Sequence, residues 1–218
     1  GIINDTMLWF CSDNGPEGRA PCDAGFNPRW SRCCGVTGGL RGRKRSLFDG
    51  GVAVPAFLHW PADVAPKKHV AAPASTLDYL PSILEAVDIP TPDDRPLDGI
   101  SLMPILTGER QTRGRPIPYR FLESKAAMFG SPTLAMTGDR FKLLTNLSTD
   151  GGEDLLFDLQ DDPAERTDVL AANKAVAREY REALASFIQS CRKSHSGADY
   201  DGPYRPAEEF QEVTGAWK

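Results

Sequence analysis

Thr6-Met7-Leu8-Trp9-Phe10-Cys11-Ser12-Asp13-Asn14-Gly15 is an apolar run that ends abruptly in a polar turn. Every position from Met7 to Cys11 is apolar, the pattern of a strand buried on both faces, as in parallel sheets covered by helices. Such a strand needs neighbours. A loop rich in Gly, Pro and Cys follows it to about Gly39, and the next strand-like run is Val52-Ala53-Val54-Pro55-Ala56-Phe57-Leu58. Most of the sheet's partners are therefore expected outside this stretch. At the strand's C-terminal edge, where open α/β sheets collect their ligands, Asp13 and Asn14 set a carboxylate beside an amide oxygen. These are hard ligands suited to Ca²⁺ or Mg²⁺, and Gly15 permits the turn that aims both at one ion. Asp-Asn-Gly is also among the commonest turn compositions, so an ordinary turn accounts for the tetrapeptide taken alone.

Further along, Gly38-Gly39-Leu40-Arg41-Gly42-Arg43-Lys44-Arg45-Ser46 packs four cations into a glycine-punctuated stretch. The whole chain is acidic, with a formal net charge of -5 over 218 residues. A local anion site suits that contrast, and a solvated basic loop is the plainer alternative. The spacing lacks the Gly-Lys-Ser/Thr of a phosphate-binding P-loop. A phosphate or a sulfate ester satisfies these cations equally well by charge.

The acidic balance excludes broad electrostatic attachment to nucleic acid or to an anionic membrane. Hydrophobic residues make up 40% and charged residues 25%, a globular composition. No run approaches the roughly 18 apolar residues that span a bilayer, so no membrane span is expected, and the first residues have no signal-peptide pattern. The five cysteines, Cys11, Cys22, Cys33, Cys34 and Cys191, contain no CxxC pair, and neither a zinc site nor a complete disulfide framework follows from them.

Apolar positions at helical spacing predict a helix over residues 75–87, with Ser75 and Asp78 as a capping box and Pro81 closing or kinking its first turns. A Pro- and Asp-rich connection over residues 90–96 reads as a linker or surface loop. Beyond it, Leu134-Ala135-Met136 and Arg140-Phe141-Lys142-Leu143-Leu144 form a hairpin around Thr137-Gly138-Asp139, and residues 155–159 a further strand. From about Leu170 to Cys191, the residues Ala177, Tyr180, Leu184, Phe187, Ile188 and Cys191 share one helical face able to cover that small antiparallel sheet. Alternation along the strand turns Lys142 toward a solvated sheet face. His59 reads as packed or half-buried, and His69 and His195 as surface groups.

Several of these segments, in this order, resemble the central signature of the type I, formylglycine-dependent sulfatase family. They are Thr6–Gly15, then Leu40-Arg41-Gly42-Arg43-Lys44, then Phe48-Asp49-Gly50-Gly51-Val52-Ala53-Val54-Pro55 and His59-Trp60-Pro61. The likeness continues through residues 75–84, Asp98–Glu109, Gly138–Leu143 and Leu156–Glu165, and is weakest over residues 16–36 and after Ser194. It implies an α/β fold: the C-terminal part of an alkaline-phosphatase-like sandwich over residues 1–110, and a small α+β subdomain with an antiparallel sheet and a long helix over residues 111–218. It further implies hydrolysis of a sulfate ester, of a sulfated glycan or an aryl sulfate. Asp13 and Asn14 match the family's calcium ligands, with Mg²⁺ a possible substitute, and Lys44 matches the lysine that holds the sulfate group. A periplasmic or secreted location goes with the family.

The departures carry as much weight. No Cys/Ser-x-Pro/Ala-x-Arg motif, the source of the formylglycine nucleophile, occurs in the chain. The family's paired aspartates and upstream histidines are also absent. The resemblance thus implies an N-terminal portion of the same sulfatase as partner, and an isolated chain that does not turn over substrate. Arg41, Arg43 and Arg45 map to no catalytic position and are read as structural or steering groups. A phosphoester hydrolase or phosphotransferase of the same superfold, and a non-catalytic binding module, are the alternatives.

Overall fold

A computed structural model describes residues 1–17, 35–66, 69–94, 96–121, 132–146, 154–200 and 202. The structure divides between a two-stranded and a four-stranded sheet. In the first, strand β1 (Leu8–Cys11) pairs antiparallel with β2 (Ala56–His59), matching Leu8 with His59 and Phe10 with Phe57. Between them in sequence lies the single turn α1 (Asp49–Val52). The expectation of a strand buried on both faces is corrected: Leu8 and Phe10 are 47% and 50% exposed. Side chains alternate along a strand, and only the opposite face is covered, where Trp9 meets Tyr79 with ring centroids 4.6 Å apart. His59, on the open face, is exposed rather than packed.

The capping box at Ser75 and Asp78 forms as expected, and α2 (Tyr79–Ala86) follows it with Pro81 buried in its first turn. The face that α2 buries is not its apolar stripe. Asp78 and Ser82 are fully buried, whereas Leu80, Ile83 and Val87 stand exposed. Polar bonding explains the choice. Ser82 Oγ donates to Asp78 O (2.6 Å) and accepts from Leu102 N (2.8 Å), just ahead of α3 (Met103–Thr107). The Asp78 carboxylate accepts from Ser75 N, from Ile100 N and from both terminal nitrogens of Arg113. A buried carboxylate is tolerable when its lone pairs are filled in this way.

The second sheet runs β3-β4-β5-β6, all antiparallel: β3 (Ile117–Arg120), β4 (Leu134–Thr137), β5 (Phe141–Thr145) and β6 (Leu155–Asp158). The expected hairpin is β4–β5. The edge strand β3 carries Pro118, which costs no ladder bond on its free side and gave no strand signal in the sequence. The expected covering helix is α4 (Lys174–His195), whose Ala177, Leu184 and Ile188 pack on Leu134, Met136, Leu143 and Leu156.

The other face of this sheet is covered as well. Leu47 and Phe48 bury themselves against Ala135, Leu144 and Phe157. Lys142 lies on that face and has no exposed surface, so its expected place on a solvated face is corrected. The segment leading into α1 acts as a second lid, and both halves of the chain contribute to one core.

Candidate anion and metal site

Three loops meet at the end of β1. Ser12 N donates to Pro55 O (3.1 Å), Gly15 N to Gly51 O (2.9 Å), and Lys44 N to Pro16 O (3.2 Å). Backbone bonding thus draws the Ser12–Gly15 turn, the basic loop and the start of α1 together. Glycine makes the approach possible. A Cβ on Gly15 would lie 1.9 Å from Gly50 O, and one on Gly51 2.1 Å from Ser46 O, distances no side chain tolerates.

Asp13 is exposed and Asn14 half-buried. Asn14 Nδ2 donates to Gly15 O (2.8 Å), and Ser12 Oγ donates to Asn14 O (3.2 Å), so the bond that fixes the amide leaves its oxygen unused. As a metal site these residues fit in part. They offer two hard oxygens, whereas Ca²⁺ takes six to eight. Among the described residues no group of three or more His, Cys, Asp or Glu side chains is arranged to hold a metal ion.

Lys44 is half-buried, and its Nζ lies 4.0 Å from Glu17 Oε2. Glu17 Oε1 is taken by Arg45 Nη1. Arg45 adopts φ 74°, a left-handed conformation that L side chains with a Cβ rarely take, beside the candidate anion-holding lysine. The remaining arginines have structural partners, in line with their reading from sequence. Arg43 Nη1 donates to Gly35 O (3.1 Å). Arg41 Nη1 donates to Glu165 O (3.1 Å), and its guanidinium stacks 3.9 Å from the Phe48 ring centre, a favourable cation–π distance.

Sequence reasoning assigned no role to the cluster behind the basic loop. Lys142 Nζ sits 2.5 Å from Asp49 Oδ1 and 2.9 Å from Glu165 Oε1, and Asp49 N donates to Glu165 Oε2 (2.6 Å). Burial pushes the Glu165 carboxyl above its ordinary range, with Lys142 pulling it back down. The one signal in the sequence was a lysine inside an otherwise apolar strand, with Phe141, Leu143 and Leu144 around it. His69 is exposed as expected, and His195 is half-buried near the end of α4. Cys11 and Cys191 are free thiols; Cys22, Cys33 and Cys34 lie outside the described residues.

The fold agrees with comparison to known proteins. Residues 42–193 match the family N-sulphoglucosamine sulphohydrolase, C-terminal, and the chain belongs to the sulfatase family as a C-terminal portion with an alkaline-phosphatase-like fold. It is 29% identical to mouse steryl-sulfatase over 84% of the chain and 34% of that protein. Against bovine arylsulfatase A it is 30% identical over 95% of the chain and 42% of that protein. Among solved structures, a Bacteroides thetaiotaomicron protein described with the metabolism of multiple glycosaminoglycans superposes with a TM-score of 0.62. It is 25% identical, over 85% of this chain and 39% of that one. A Pseudoalteromonas sulfatase superposes with a TM-score of 0.63 at 17% identity, over 88% and 38% of the two chains. The chain thus spans 34% and 42% of the two curated relatives' lengths. Among the described residues, no helix is long and apolar enough to cross a membrane.

Proposed function

We propose that this chain is the C-terminal part of a calcium-dependent sulfuric ester hydrolase, and that Asp13, Asn14 and Lys44 form its share of the catalytic site. The observation that carries the reading is the stitching of the Ser12–Gly15 turn to the basic loop through Gly15–Gly51 and Pro16–Lys44, in a chain of the sulfatase family. Asp13 and Asn14 hold two of the oxygens that bind Ca²⁺, with Mg²⁺ as a substitute, and the ion when bound supplies positive charge to the sulfuryl oxygens. The Lys44 ammonium contributes the second positive charge, which counts most as the ester oxygen departs with its electron pair. Lys44 has a built-in competitor in Glu17, 4.0 Å away. Arg45 shares that carboxylate through its other oxygen, so an incoming ester anion competes with Glu17 for the Lys44 ammonium.

The nucleophile, a formylglycine, and the remaining metal ligands belong on an N-terminal portion of the same sulfatase. The support for such a partner is exposed apolar surface: Leu8, Phe10 and Phe57 on one sheet face and Leu80, Ile83 and Val87 on α2 are exposed, the kind of surface that packs against another element. The substrate is a sulfate ester, of a sulfated glycan or an aryl sulfate, in keeping with the arylsulfatase and glycosaminoglycan-associated relatives. A periplasmic or secreted setting accompanies that reading.

The test pairs sulfate and phosphate monoesters of one aryl alcohol on the protein that carries these residues together with the formylglycine motif. The sulfate ester is expected to turn over faster, and chelation of calcium to abolish its turnover, while the 218-residue chain alone is inert. Preference for the phosphate ester moves the chain to the phosphoester hydrolases of the superfold.

A further inference from the structure

The buried Lys142 cluster lies apart from the residues assigned to the chemistry, yet it is bonded to the loop that presents them. Asp49 is the first residue of α1 and lies three positions after Ser46, the end of the basic stretch. Lys142 comes from β5 and Glu165 from the turn after β6, both nearly a hundred residues or more away along the chain. Glu165 grips the loop twice, with Oε2 on Asp49 N and its backbone oxygen on Arg41 Nη1. Gly50 N in turn donates to Arg41 O (2.7 Å), and Gly51 O receives Gly15 N (2.9 Å). A continuous path of bonds therefore runs from the four-stranded sheet, through residues 41–51, to the Ser12–Gly15 turn.

Two carboxylates face one ammonium in this cluster, and all of it except part of Asp49 is buried. Apolar side chains in place of all three groups would avoid any desolvation cost, and buried ion pairs as a class add little net stability over such a complete replacement, whereas losing Lys142 alone strands two carboxylates. What the ammonium adds is a fixed point, because its hydrogen bond to Asp49 and its ion pair with Glu165 define where those two side chains stand and hence where the loop ends.

We propose that Lys142 is a positioning residue: clamped between Asp49 and Glu165, it anchors the 41–51 loop so that Lys44 is held beside the Asp13-Asn14 turn. The role of Lys44 rests on the function proposed above; the anchoring does not. Glu165 acts with Lys142, and its variants are expected to loosen the same loop.

The test uses the full 218-residue chain, inorganic sulfate as probe, and amide hydrogen exchange as an independent readout. In Lys142→Met, the amides of Lys44, Gly50 and Gly51 are expected to exchange at least tenfold faster than in the parent, while amides of Leu184 and Ile188 in α4 keep their protection. Sulfate binding, followed at the Lys44 amide, should weaken at least fivefold, and Lys142→Arg should restore both. Should Lys142→Met not fold, Glu165→Gln, which keeps the volume and one acceptor, decides by the same two readouts. Loop amides that exchange as in the parent overturn the proposal, and so does a loss of protection that is equal in the loop and in α4, since that marks plain core destabilisation. Lys44→Ala separates the two claims. It should abolish sulfate binding with loop exchange unchanged, and a parent chain that ignores sulfate overturns an anion site preformed by this chain's own residues while the exchange result still judges the anchor.

Discussion

The two sheets of this molecule are made of strands of nearly equal length and end in opposite surroundings. In β3–β6, α4 covers one face and the Leu47–Phe48 segment the other, so that Leu134, Leu143, Leu144 and Leu156 have no exposed surface. In β1–β2, Tyr79 covers Trp9 on one side, and the stacked Phe10 and Phe57, 5.0 Å between ring centres, face outward on the other. Apolar content does not separate them, since β1 is Leu-Trp-Phe-Cys throughout. What separates them is that, among the described residues, covering elements lie on both faces of the larger sheet and on one face of the smaller. The candidate site hangs from the incompletely covered sheet and is steadied from the complete one.

Truncation should expose that difference most sharply. Leu184→Ala removes a fully buried side chain from the contact between α4 and the sheet and is expected to cost about 2–5 kcal/mol, measured by urea unfolding. Phe10→Ala in the same chain should cost only about 0.5–1.5 kcal/mol, the worth of the ring pair. Equal losses would mean that the open face is covered in solution.

Gly15→Ala tests the junction itself. Its Cβ meets Gly50 O at 1.9 Å, and the backbone must part to admit it, at about 1–3 kcal/mol by analogy with overpacked cores. Circular dichroism should show the fold retained, with the amides of Gly15 and Lys44 exchanging faster. An unperturbed Lys44 amide would uncouple the turn from the basic loop.

The smallest effect lies in the pH profile. Burial raises the Glu165 carboxyl above its ordinary value of 4.5, so the folded chain holds that proton to higher pH than the unfolded one. This group's contribution is therefore complete below about pH 4.5, and it declines as pH rises through the folded value. Asp158 works in the opposite sense: its bonds to Arg140 hold it below 3.8, and its contribution is lost as pH falls beneath that. Glu165→Gln should flatten the decline above pH 4.5 and leave the acid limb in place, as read from unfolding midpoints across pH.

Much of the fold was legible in the sequence where pattern and packing agree. The β4–β5 hairpin, β6 and α4 follow from alternation and helical spacing, and the Ser75–Asp78 capping box from local bonding chemistry. Patterns misled where burial is settled by partners far along the chain. Of the stripe Leu77, Leu80, Leu84 and Val87, all but the half-buried Leu84 face outward, because Ser82 and Asp78 have polar partners at Leu102, Ile100 and Arg113. Lys142 was read as solvated because alternation says nothing of a second lid, and only Leu47 and Phe48, about a hundred residues earlier, turn that face into core. Of the candidate site, Asp13, Asn14 and Lys44 were legible as motifs. The Lys142 cluster was not, since three separate segments supply it.

The most direct measurement is the turnover of an aryl sulfate by Lys44→Ala in the formylglycine-bearing protein, with folding checked by circular dichroism. Loss of an anion-stabilising group ordinarily costs about 10²–10³ in rate, and a fall of more than tenfold with the fold intact is predicted. Unchanged kinetics would contradict the account and remove Lys44, and the loop built to hold it, from the chemistry.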